Sequence, residues 1–541
     1  MNNSAWELEE RHTILELWTN ALTKSPETIF VHFLEGDKKY TYAQFDQLTN
    51  QLAHGLLAVG VAQGDRIATL LDNHVDSVAL FIAASKVNAI YVPVNTANKG
   101  EFLRNPLANS GAKFLVAEDK YLGRVDAIRA SLPELVNIYV RGDTASTGAS
   151  VEGLVSLYSD NSAETNIRPQ PADIAGIIYT GGTTGPSKGC ALSQNYIANQ
   201  ALRTRGMCDP RPGEVNWTCL PLFHLNALVV TILYSVVSNT TAAISPRFSL
   251  SRFWSEIEKS GASVASILGS MIPLIANQTD SEAMHRCKGQ LRMARGAPFP
   301  AELQEIWHKR FGVEIVGAHV YGLTEVSFVS MLTYTEAKGA APGSSGKLNY
   351  RDFEVMIVND DFKEMPIGET GEIVVRPRRP NVMFEGYWGR PQETLDVLTG
   401  MWLHTGDIGK FDEDNYFYFV DRKKDYLRRR GENISSYEME TVFNQHPDIH
   451  EVAVHAVPSE FTEDDVKVTI VKEAGAALTE HELAHWAIEN VPYYAVPRYI
   501  EFRDELPKNP VGRILKNQLR DDGCTQATWD MEQSDITYSK N

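Results

Sequence analysis

Hydrophobic and polar positions alternate with two different periods in the first part of the chain. Residues 41–60 carry apolar side chains at helical spacing and end at a glycine, whereas the short apolar run 66–71 has the composition of a buried strand. A second pair of the same kind follows at 76–89 and 90–95, and a similar series occupies 251–320. Repeated helix and strand units predict an α/β fold in which helices cover the faces of a sheet.

The pattern changes after residue 350, where short strand-like runs alternate with tight turns. Segments 354–366, 371–377 and 411–421 contain such runs, and the clusters of Asp, Glu and Asn within them are typical of hairpin turns. This part of the chain therefore predicts a β-rich subdomain.

A dense charge run at 421–431 precedes new helix and strand signals that begin at residue 436. A charged, unpacked segment between two patterned regions is typical of a domain boundary. We predict an N-terminal domain over 1–423, a small α+β C-terminal domain over 424–522, and a polar, frayed tail over 523–541.

Composition narrows the class of protein. Of 541 residues, 43% are hydrophobic and 22% are charged, as in globular chains, and the formal net charge of −18 argues against a nucleic-acid partner. Five cysteines without a paired spacing indicate reduced thiols and a cytoplasmic location. Residues 1–10 lack the apolar segment of a secretory signal. The longest apolar run, 227–237, is shorter than the ~20 residues of a membrane-spanning helix, so we expect no membrane span and a buried strand or helix there.

The strongest local motif is the glycine-rich segment 179–189, Tyr-Thr-Gly-Gly-Thr-Thr-Gly-Pro-Ser-Lys-Gly, which directly follows an apolar strand. Glycines let the backbone approach a phosphate, hydroxyl groups donate hydrogen bonds to it, and Lys188 adds a positive charge. The segment is not a Walker A loop, because Lys188 is followed by Gly189. By its chemistry the motif predicts a phosphate-binding loop, and a flexible surface loop is the alternative.

This loop resembles the YTSGTTGxPKG signature of the adenylate-forming superfamily, which includes acyl-CoA synthetases and nonribosomal peptide synthetase adenylation domains. Further motifs similar to those of the superfamily follow in the same order between residues 41 and 519. The sequences of these motifs are most similar to those of bacterial crotonobetaine/carnitine-CoA ligases. The resemblance implies a large N-terminal lobe of α/β subdomains plus a β-rich subdomain, followed by a small mobile α+β C-terminal domain.

The resemblance also implies a nucleotide site. The residues expected to contact ATP or AMP are Thr180, Gly181, Gly182, Thr183, Thr184, Gly185, Lys188, Gly296, Ala297, Pro298, Tyr321, Gly322, Thr324, Asp407 and Arg422. Tyr321 would stack on adenine, and Asp407 would accept hydrogen bonds from both ribose hydroxyls. Thr184 and Glu325 would hold Mg²⁺. Gly181 stands where relatives usually have serine, so one hydroxyl donor is lost.

The acyl and CoA sites follow from the same resemblance. The implied acyl-pocket residues are Phe223, His224, Arg295 and Gly317, the implied CoA contacts are Arg430 and Gly431, and the implied hinge is Lys424. The small domain would close for adenylate formation and rotate for thioester formation. Arg295 replaces a glycine and would meet a polar or anionic group on the substrate, or else point outward into solvent. His224 also fits a histidine satisfied inside a core, and the arginines before Gly431 also fit a solvated charge run.

The motif at 506–516 departs from the pattern at its most important position. The resembled motif has a lysine after its glycine, which stabilises the attacking carboxylate and the α-phosphate, whereas this chain has Arg513. Three interpretations stay open: Arg513 performs this role, Lys508 or Lys516 substitutes, or adenylation is weak. The implied catalytic set is Arg513, Lys188, Thr324, Glu325 and His224, with no covalent enzyme nucleophile.

Together these motifs predict an ATP-dependent, AMP-forming acyl-CoA ligase that uses Mg²⁺ and coenzyme A and acts on a small-molecule carboxylic acid. The alternatives are an acyl-AMP ligase that loads a separate carrier protein and a degenerate nucleotide-binding homologue. A homodimer would be common among such proteins. The sequence leaves the acid open, although a small or medium, polar or zwitterionic acid fits Arg295.

Overall fold

The computed structural model describes residues 11–143, 151–180, 186–297, 299, 301–423, 426–429, 432–459, 464–491, 495–509 and 512–537. The chain divides into two compact units. The first contains Met1–Val355, Val375–Leu403 and Asn415–Phe417, and the second contains Met356–Val374, His404–Asp414 and Tyr418–Asn541. Lys424, at the predicted domain boundary, lies outside the described residues.

The first unit contains two seven-stranded sheets. In spatial order, the first sheet consists of Ile315–Val316, Met293–Arg295, Val264–Ser266, Val215–Thr218, Thr241–Ile244, Ile29–Phe33 and Lys38–Thr41. Its strands are parallel except for the last pair. The second sheet consists of Glu152–Gly153, Asn137–Arg141, Phe114–Glu118, Arg66–Leu70, Ile90–Pro93, Ile174–Thr180 and Lys188–Ser193, and again only the last pair is antiparallel.

The helices of the first unit connect and cover these strands. They are Ile14–Lys24, Tyr42–Ala58, Val75–Lys86, Glu101–Ser110, Leu122–Asp126, Gln194–Cys208, Leu225–Ala227, Tyr234–Ser238, Phe253–Ser260, Met271–Ala276, Glu282–Arg286, Ala301–Ile306, Tyr334–Ala337 and Pro391–Val397. Tyr42–Ala58 begins at a capping box, in which Thr41 accepts from the backbone of Gln44 and the Gln44 side chain accepts from the backbone of Thr41. The predicted alternation of helix and strand between residues 41 and 95 is confirmed, as is the α/β fold.

The apolar run 227–237 is helical and fully buried except at Val237. Its central part, Leu228–Leu233, is a π-helix between two short α-helices. A second π-helical segment, Trp307–Phe311, extends the helix Ala301–Ile306. None of the helices that the structure describes is long and apolar enough to cross a membrane.

Shorter sheets follow residue 319, and the second of them confirms the β-rich region predicted after residue 350. One consists of Val320–Leu323, Ser327–Met331 and Lys347–Leu348, and another of Phe353–Val358, Gly371–Pro377, Leu398–Thr399, Trp402–Phe411 and Phe417–Arg422. Residues of the five-stranded sheet are assigned to both units.

The second unit has its own apolar core. Its remaining strands are Tyr426–Arg429, Glu432–Ser435, Ile449–Pro458, Asp464–Lys472, Tyr499–Phe502 and Trp529–Asp530, and its helices are Ser436–Phe443, Glu480–Asn490 and Lys516–Asp522. Glu480–Asn490 begins at a capping box formed by Thr479 and Glu482.

The polar tail is not frayed over its described part. Trp529–Asp530 pairs with Tyr499–Phe502 and completes a four-stranded sheet. Met531 is buried in the core of the second unit, and Trp529 and Ile536 pack against that core. The expectation of fraying was wrong because these few apolar residues lie at intervals within a polar segment and give no periodic signal.

Candidate active site

The glycine-rich segment begins at the edge of the second sheet. Strands Ile174–Thr180 and Lys188–Ser193 form an antiparallel hairpin in which Thr180 lies opposite Lys188. The connecting residues Gly181, Gly182, Thr183, Thr184 and Gly185 lie outside the described part of the chain. A Cβ atom at Gly189 would come within 2.5 Å of the Ile177 side chain, so this position needs a glycine. The hairpin fixes the start of the Lys188 side chain beside the predicted phosphate loop.

Lys188 has two partners outside the hairpin. Its Nζ lies 3.0 Å from Oε2 of Glu393 and 4.9 Å from the centre of the Tyr387 ring. Glu393 also accepts a hydrogen bond from Arg390, and this contact, followed by that of Lys188, lowers the pKa of the Glu393 carboxyl. The lysine is thus held by partly buried groups, of which the Glu393 carboxylate is the one that a phosphate would replace.

Tyr387 connects Lys188 to the second predicted motif. Its hydroxyl donates a 2.9 Å hydrogen bond to Oε1 of Glu325, and burial followed by this carboxylate raises the pKa of the phenol. The backbone N–H of Phe384 donates to the carbonyl of Glu325, and the Tyr196 hydroxyl donates to the carbonyl of Thr324 at 2.8 Å. Lys188, Thr324 and Glu325 therefore belong to one connected set of contacts.

The Glu325 carboxylate fits a magnesium site. Among the described residues it forms no ion pair with a lysine, arginine or histidine, and the tyrosine contact leaves its charge uncompensated. A single protein carboxylate completed by substrate phosphates is a typical Mg²⁺ environment. The described residues include no cluster of three or more side chains that could hold a metal ion, and Thr184, the other predicted Mg²⁺ ligand, lies outside them.

The predicted adenine-binding residues lie on strand ends of the first unit. Tyr321 is buried, and its ring centre is 5.0 Å from that of Phe417. At Gly322 a Cβ atom would come within 1.9 Å of the carbonyl oxygen of Ser327, so no side chain fits there. Gly296 follows the strand Met293–Arg295, and Ala297 comes next. Pro298 lies outside the described residues.

His224 precedes the helical run that contains the buried residues 227–236. Its ring packs edge-on against Phe223 with a centroid distance of 4.6 Å. Burial lowers the pKa of His224, so the imidazole is neutral near pH 7. Its ring forms no side-chain hydrogen bond with the residues that the structure describes. The alternative of a histidine satisfied by core partners thus lacks support in the described contacts.

Arg295 and Gly317 lie at the carboxyl ends of neighbouring strands. The N–H of Gly317 donates to the carbonyl of Ala294 at 3.0 Å. Arg295 is only 4% exposed, and its guanidinium donates to Oγ of Ser266 at 2.6 Å. The alternative of an outward-pointing, solvated Arg295 is therefore wrong, because the side chain is buried against Ser266, Cys208 and Tyr234.

The predicted ribose contacts lie in the second unit. Asp407 is buried, and its Oδ1 is 2.9 Å from Nε of Arg422. The N–H of Asp407 donates to the hydroxyl of Thr405, which in turn donates to the carbonyl of Ile373. This network fixes the carboxylate and pairs the two residues that the sequence motifs single out separately.

Arg513 lies in a short hairpin of the second unit. Its side chain is exposed, and Asn509 and Arg513 exchange two hydrogen bonds of 2.8 Å. The two neighbouring lysines are both engaged: Nζ of Lys508 lies 2.5 Å from Glu451, and that of Lys516 donates to Ser436 at 2.6 Å. Lys516 also pairs with Glu440 at 2.8 Å. These partners favour Arg513 over either lysine as the cation that has no carboxylate partner within the described residues.

The charge run before Gly431 is partly structural. Arg429 is buried and pairs with Asp465 at 3.2 Å, so this arginine is not part of a solvated run. Arg430 and Gly431, the predicted CoA contacts, lie outside the described residues.

Sequence reasoning missed Tyr387 and Glu393. Both lie in 384–394, a segment that combines a glycine with positive φ, Gly386, and two adjacent aromatic residues. That combination is a signal for a constrained loop, but only the folded chain shows that the loop meets Lys188 and Glu325.

Comparisons with known proteins identify the family. Residues 18–388 match the family model described as AMP-binding enzyme, and residues 438–513 match the AMP-binding enzyme C-terminal domain. The chain belongs to the AMP-binding enzyme family. The resemblance to adenylate-forming enzymes is thus confirmed.

Curated members of this family include CoA ligases. The chain is 30% identical over 532 residues to the long-chain-fatty-acid–CoA ligase FadD13 of Mycobacterium tuberculosis (strain CDC 1551 / Oshkosh), covering 96% of this chain and 98% of the relative. It is 28% identical over 495 residues to the crotonobetaine/carnitine–CoA ligase of Salmonella typhi, covering 89% and 93%. The similarity to carnitine-type ligases is confirmed, although it does not exceed that to the long-chain ligase.

Solved structures of AMP-binding enzymes have the same fold. ATP-bound MatB from Rhodopseudomonas palustris aligns with a TM-score of 0.82 at 24% identity, covering 94% of this chain and 99% of that one. A Mycobacterium tuberculosis fatty acyl CoA synthetase aligns with a TM-score of 0.70 at 27% identity, covering 94% and 98%.

Proposed function

We propose that this chain is an ATP-dependent, AMP-forming acyl-CoA ligase, which converts a carboxylic acid, ATP and coenzyme A to an acyl-CoA, AMP and pyrophosphate. The observation that carries the proposal is the connected set Lys188, Tyr387 and Glu325, which lies within the AMP-binding match and joins a phosphate-binding cation to a magnesium-binding carboxylate. The curated relatives named above are CoA ligases.

In the first half-reaction, a carboxylate oxygen of the acid attacks the α-phosphorus of ATP, and the bond to pyrophosphate breaks. Lys188 binds the departing phosphates, the backbone and hydroxyl of Thr324 hold the α-phosphate, and Arg513 stabilises the charge that develops on the oxygens. Thr184 and Glu325 would hold Mg²⁺, which would neutralise phosphate charge. The acid becomes an acyl-adenylate, whose leaving group is AMP rather than oxide.

In the second half-reaction, the CoA sulfur attacks the acyl carbon, the bond to AMP breaks, and the thiol proton is released. No protein nucleophile takes part. Cys190 illustrates why: it is fully buried, and burial followed by the charge of Glu325 raises the pKa of its thiol. Because His224 is neutral, it places no charge beside the reacting carboxylate.

Transfer to free CoA is favoured over the two alternatives. The curated relatives named above are called CoA ligases rather than carrier-protein loading enzymes. A degenerate nucleotide-binding homologue would have lost charged phosphate or metal contacts, yet Lys188 and Glu325 are both present and partly exposed. Cytoplasmic location and a homodimer stay predictions.

The proposal is tested by pyrophosphate release from Mg·ATP across short, branched, aromatic, dicarboxylic, zwitterionic and long-chain acids, each with and without CoA. Sustained release that requires CoA, with the thioester detected by mass, supports the ligase. Release that is unaffected by CoA would indicate transfer to a carrier protein instead. If none of the acids gave pyrophosphate release, the proposal would be contradicted.

A further inference from the structure

Arg295 differs from every other buried arginine that the structure describes. Arg203 lies 3.5 Å from Asp352, Arg292 forms a two-point ion pair with Glu214, and Arg429 lies 3.2 Å from Asp465. Arg295 is equally buried, yet no carboxylate within the described residues pairs with it. A guanidinium withdrawn from water without an anion is strongly disfavoured, so this position calls for an anionic partner other than the described residues, which a bound ligand can supply.

The groups around Arg295 are neutral and incompletely satisfied. Its guanidinium donates to Oγ of Ser266 at 2.6 Å and to Sγ of Cys208 at 3.3 Å, and it lies 5.2 Å from the centre of the Tyr234 ring. Nε of Arg295 is buried and has no hydrogen-bond partner among the described residues, and the same is true of the Tyr234 hydroxyl. A cation and a phenol thus lie close together in the interior, and each has one buried polar atom without an acceptor among the described residues.

The position of this cluster in the fold is that of a ligand site. Ser266 and Arg295 are register partners at the carboxyl ends of two parallel strands, where ligands of open α/β sheets bind. Thr231 donates from the facing helical run to Ser266 at 3.1 Å, and Tyr234 lies one turn further along that run. The same run begins immediately after His224, which the proposed function places beside the reacting carboxylate.

The spacing along the helical run sets the length of the ligand. Thr231 is seven residues after His224. At the α-helical rise seven residues would span about 10 Å, and the π-helical part, Leu228–Leu233, makes the separation shorter than that. We therefore expect an acid whose reacting carboxylate lies beside His224 to need a chain of medium length to reach Arg295.

We propose that the acid substrate carries a second anionic group, a carboxylate in the simplest case, which binds Arg295 with the help of Tyr234 and Ser266. This inference rests on the proposed function and specifies its substrate class as medium-length dicarboxylic acids. Arg295 is then a specificity-determining residue. An acid with a trimethylammonium tail, such as a carnitine-like substrate, is repelled by the same charge, and an uncharged alkyl tail leaves the guanidinium buried without an anion.

The test compares matched acids of equal length: butyrate with succinate, hexanoate with adipate, and octanoate with suberate. For one of these lengths, the wild type should favour the diacid over the monoacid by about 10²-fold in kcat/KM, because its buried cation is otherwise unpaired. Arg295→Met should lower that ratio by about 10²-fold, and Arg295→Lys should restore part of it. Arg286→Met, which removes an exposed arginine paired with Glu258, is the control and should leave the ratio unchanged.

A binding measurement provides a readout that is independent of turnover. Calorimetry with a non-hydrolysable ATP analogue should show tighter binding of the diacid to the wild type and a loss of about 10²-fold in Arg295→Met. An unchanged ratio in Arg295→Met and Arg295→Lys, or a wild-type preference for monoacids or trimethylammonium acids, would overturn the inference while leaving the ligase activity intact. Absence of thioester from every acid would instead overturn the proposed function, and with it this inference.

Discussion

The hydroxyl group of Tyr387 donates a hydrogen bond of 2.9 Å to the carboxylate of Glu325. The ring of the same tyrosine lies 4.9 Å from Nζ of Lys188. One side chain therefore orients the carboxylate proposed to hold Mg²⁺ and the cation proposed to bind phosphate. This arrangement makes Tyr387 a positioning residue.

Replacing Tyr387 with phenylalanine separates its two roles. Tyr387→Phe keeps the ring beside Lys188 but removes the hydrogen bond to a charged group, a loss that typically costs about 1.5–3 kcal/mol. We expect pyrophosphate release to fall roughly tenfold at limiting Mg²⁺ and to recover as Mg²⁺ is raised. Tyr387→Leu also removes the ring and should raise the KM for ATP. If the Mg²⁺ dependence of Tyr387→Phe equalled that of the wild type, Tyr387 would not position Glu325 for Mg²⁺.

Lys188 must exchange its present partner for a phosphate when ATP binds. Lys188→Ala should lower the rate of pyrophosphate release by about 10²- to 10³-fold, because the positive charge that stabilises the departing pyrophosphate is lost. Glu393→Gln is the matched variant: it removes the competing carboxylate 3.0 Å away and should lower the KM for ATP several-fold. Steady-state kinetics with varied ATP distinguishes the two, and a raised KM in Glu393→Gln would show that the ion pair supports binding instead.

Arg513 is exposed and forms no ion pair among the described residues, and its role can be separated from that of the neighbouring lysines. Arg513→Ala should slow adenylation by about 10²- to 10³-fold, whereas Arg513→Lys should retain part of the rate. Lys508→Ala, whose side chain pairs with Glu451, serves as the control and should change the rate little. The assignment fails if Arg513→Ala spares adenylation but slows thioester formation from supplied acyl-adenylate.

His455 in the second unit couples stability to pH. It is fully buried, with Nε2 lying 3.1 Å from the Thr469 hydroxyl, and burial followed by the charge of Lys467 lowers its pKa to about 3. The unfolded chain protonates this histidine near its ordinary pKa of 6.5, whereas the folded chain keeps it neutral. Above pH 6.5 the histidine is neutral in both states, so its burial does not lower the stability of the fold there. The stability is lost progressively as the pH falls from 6.5 towards 3, by up to about 1.4 kcal/mol per pH unit.

The His455 prediction is checked by NMR of the protein labelled with ¹³C-histidine, with His455→Gln used to assign the resonance. The imidazole should stay neutral between pH 7 and 5, while exposed histidines titrate. A midpoint near 6.5 for His455 would contradict the account.

The sequence indicates elements better than it indicates partners. The predicted helix after residue 41 and the strand at 66–71 appear as Tyr42–Ala58 and Arg66–Leu70, because local caps and apolar periodicity determine both. The nucleotide motifs are local runs of residues and can be read directly. In contrast, Tyr387 lies 62 positions from Glu325 along the chain, and no local pattern links them.

Arg295 shows the same limit for the substrate site. The sequence marks it as unusual but leaves open whether it faces solvent or substrate. Its burial and its lack of a carboxylate depend on the packing of neighbouring strands and the helical run, which are distant in sequence. The sequence likewise did not predict the strand Trp529–Asp530, because its pairing with Tyr499–Phe502 is a contact between distant parts of the chain.

The central claim is an acyl-adenylate formed by attack of the acid on the α-phosphorus of ATP. The most direct test uses an acid with both carboxylate oxygens replaced by ¹⁸O, together with Mg·ATP and CoA, and analyses the nucleotide product by mass. The account predicts AMP that carries one ¹⁸O atom for each acyl-CoA formed, because the attacking oxygen stays on phosphorus when the thiol displaces AMP. Unlabelled AMP, or ADP with labelled phosphate, would contradict it.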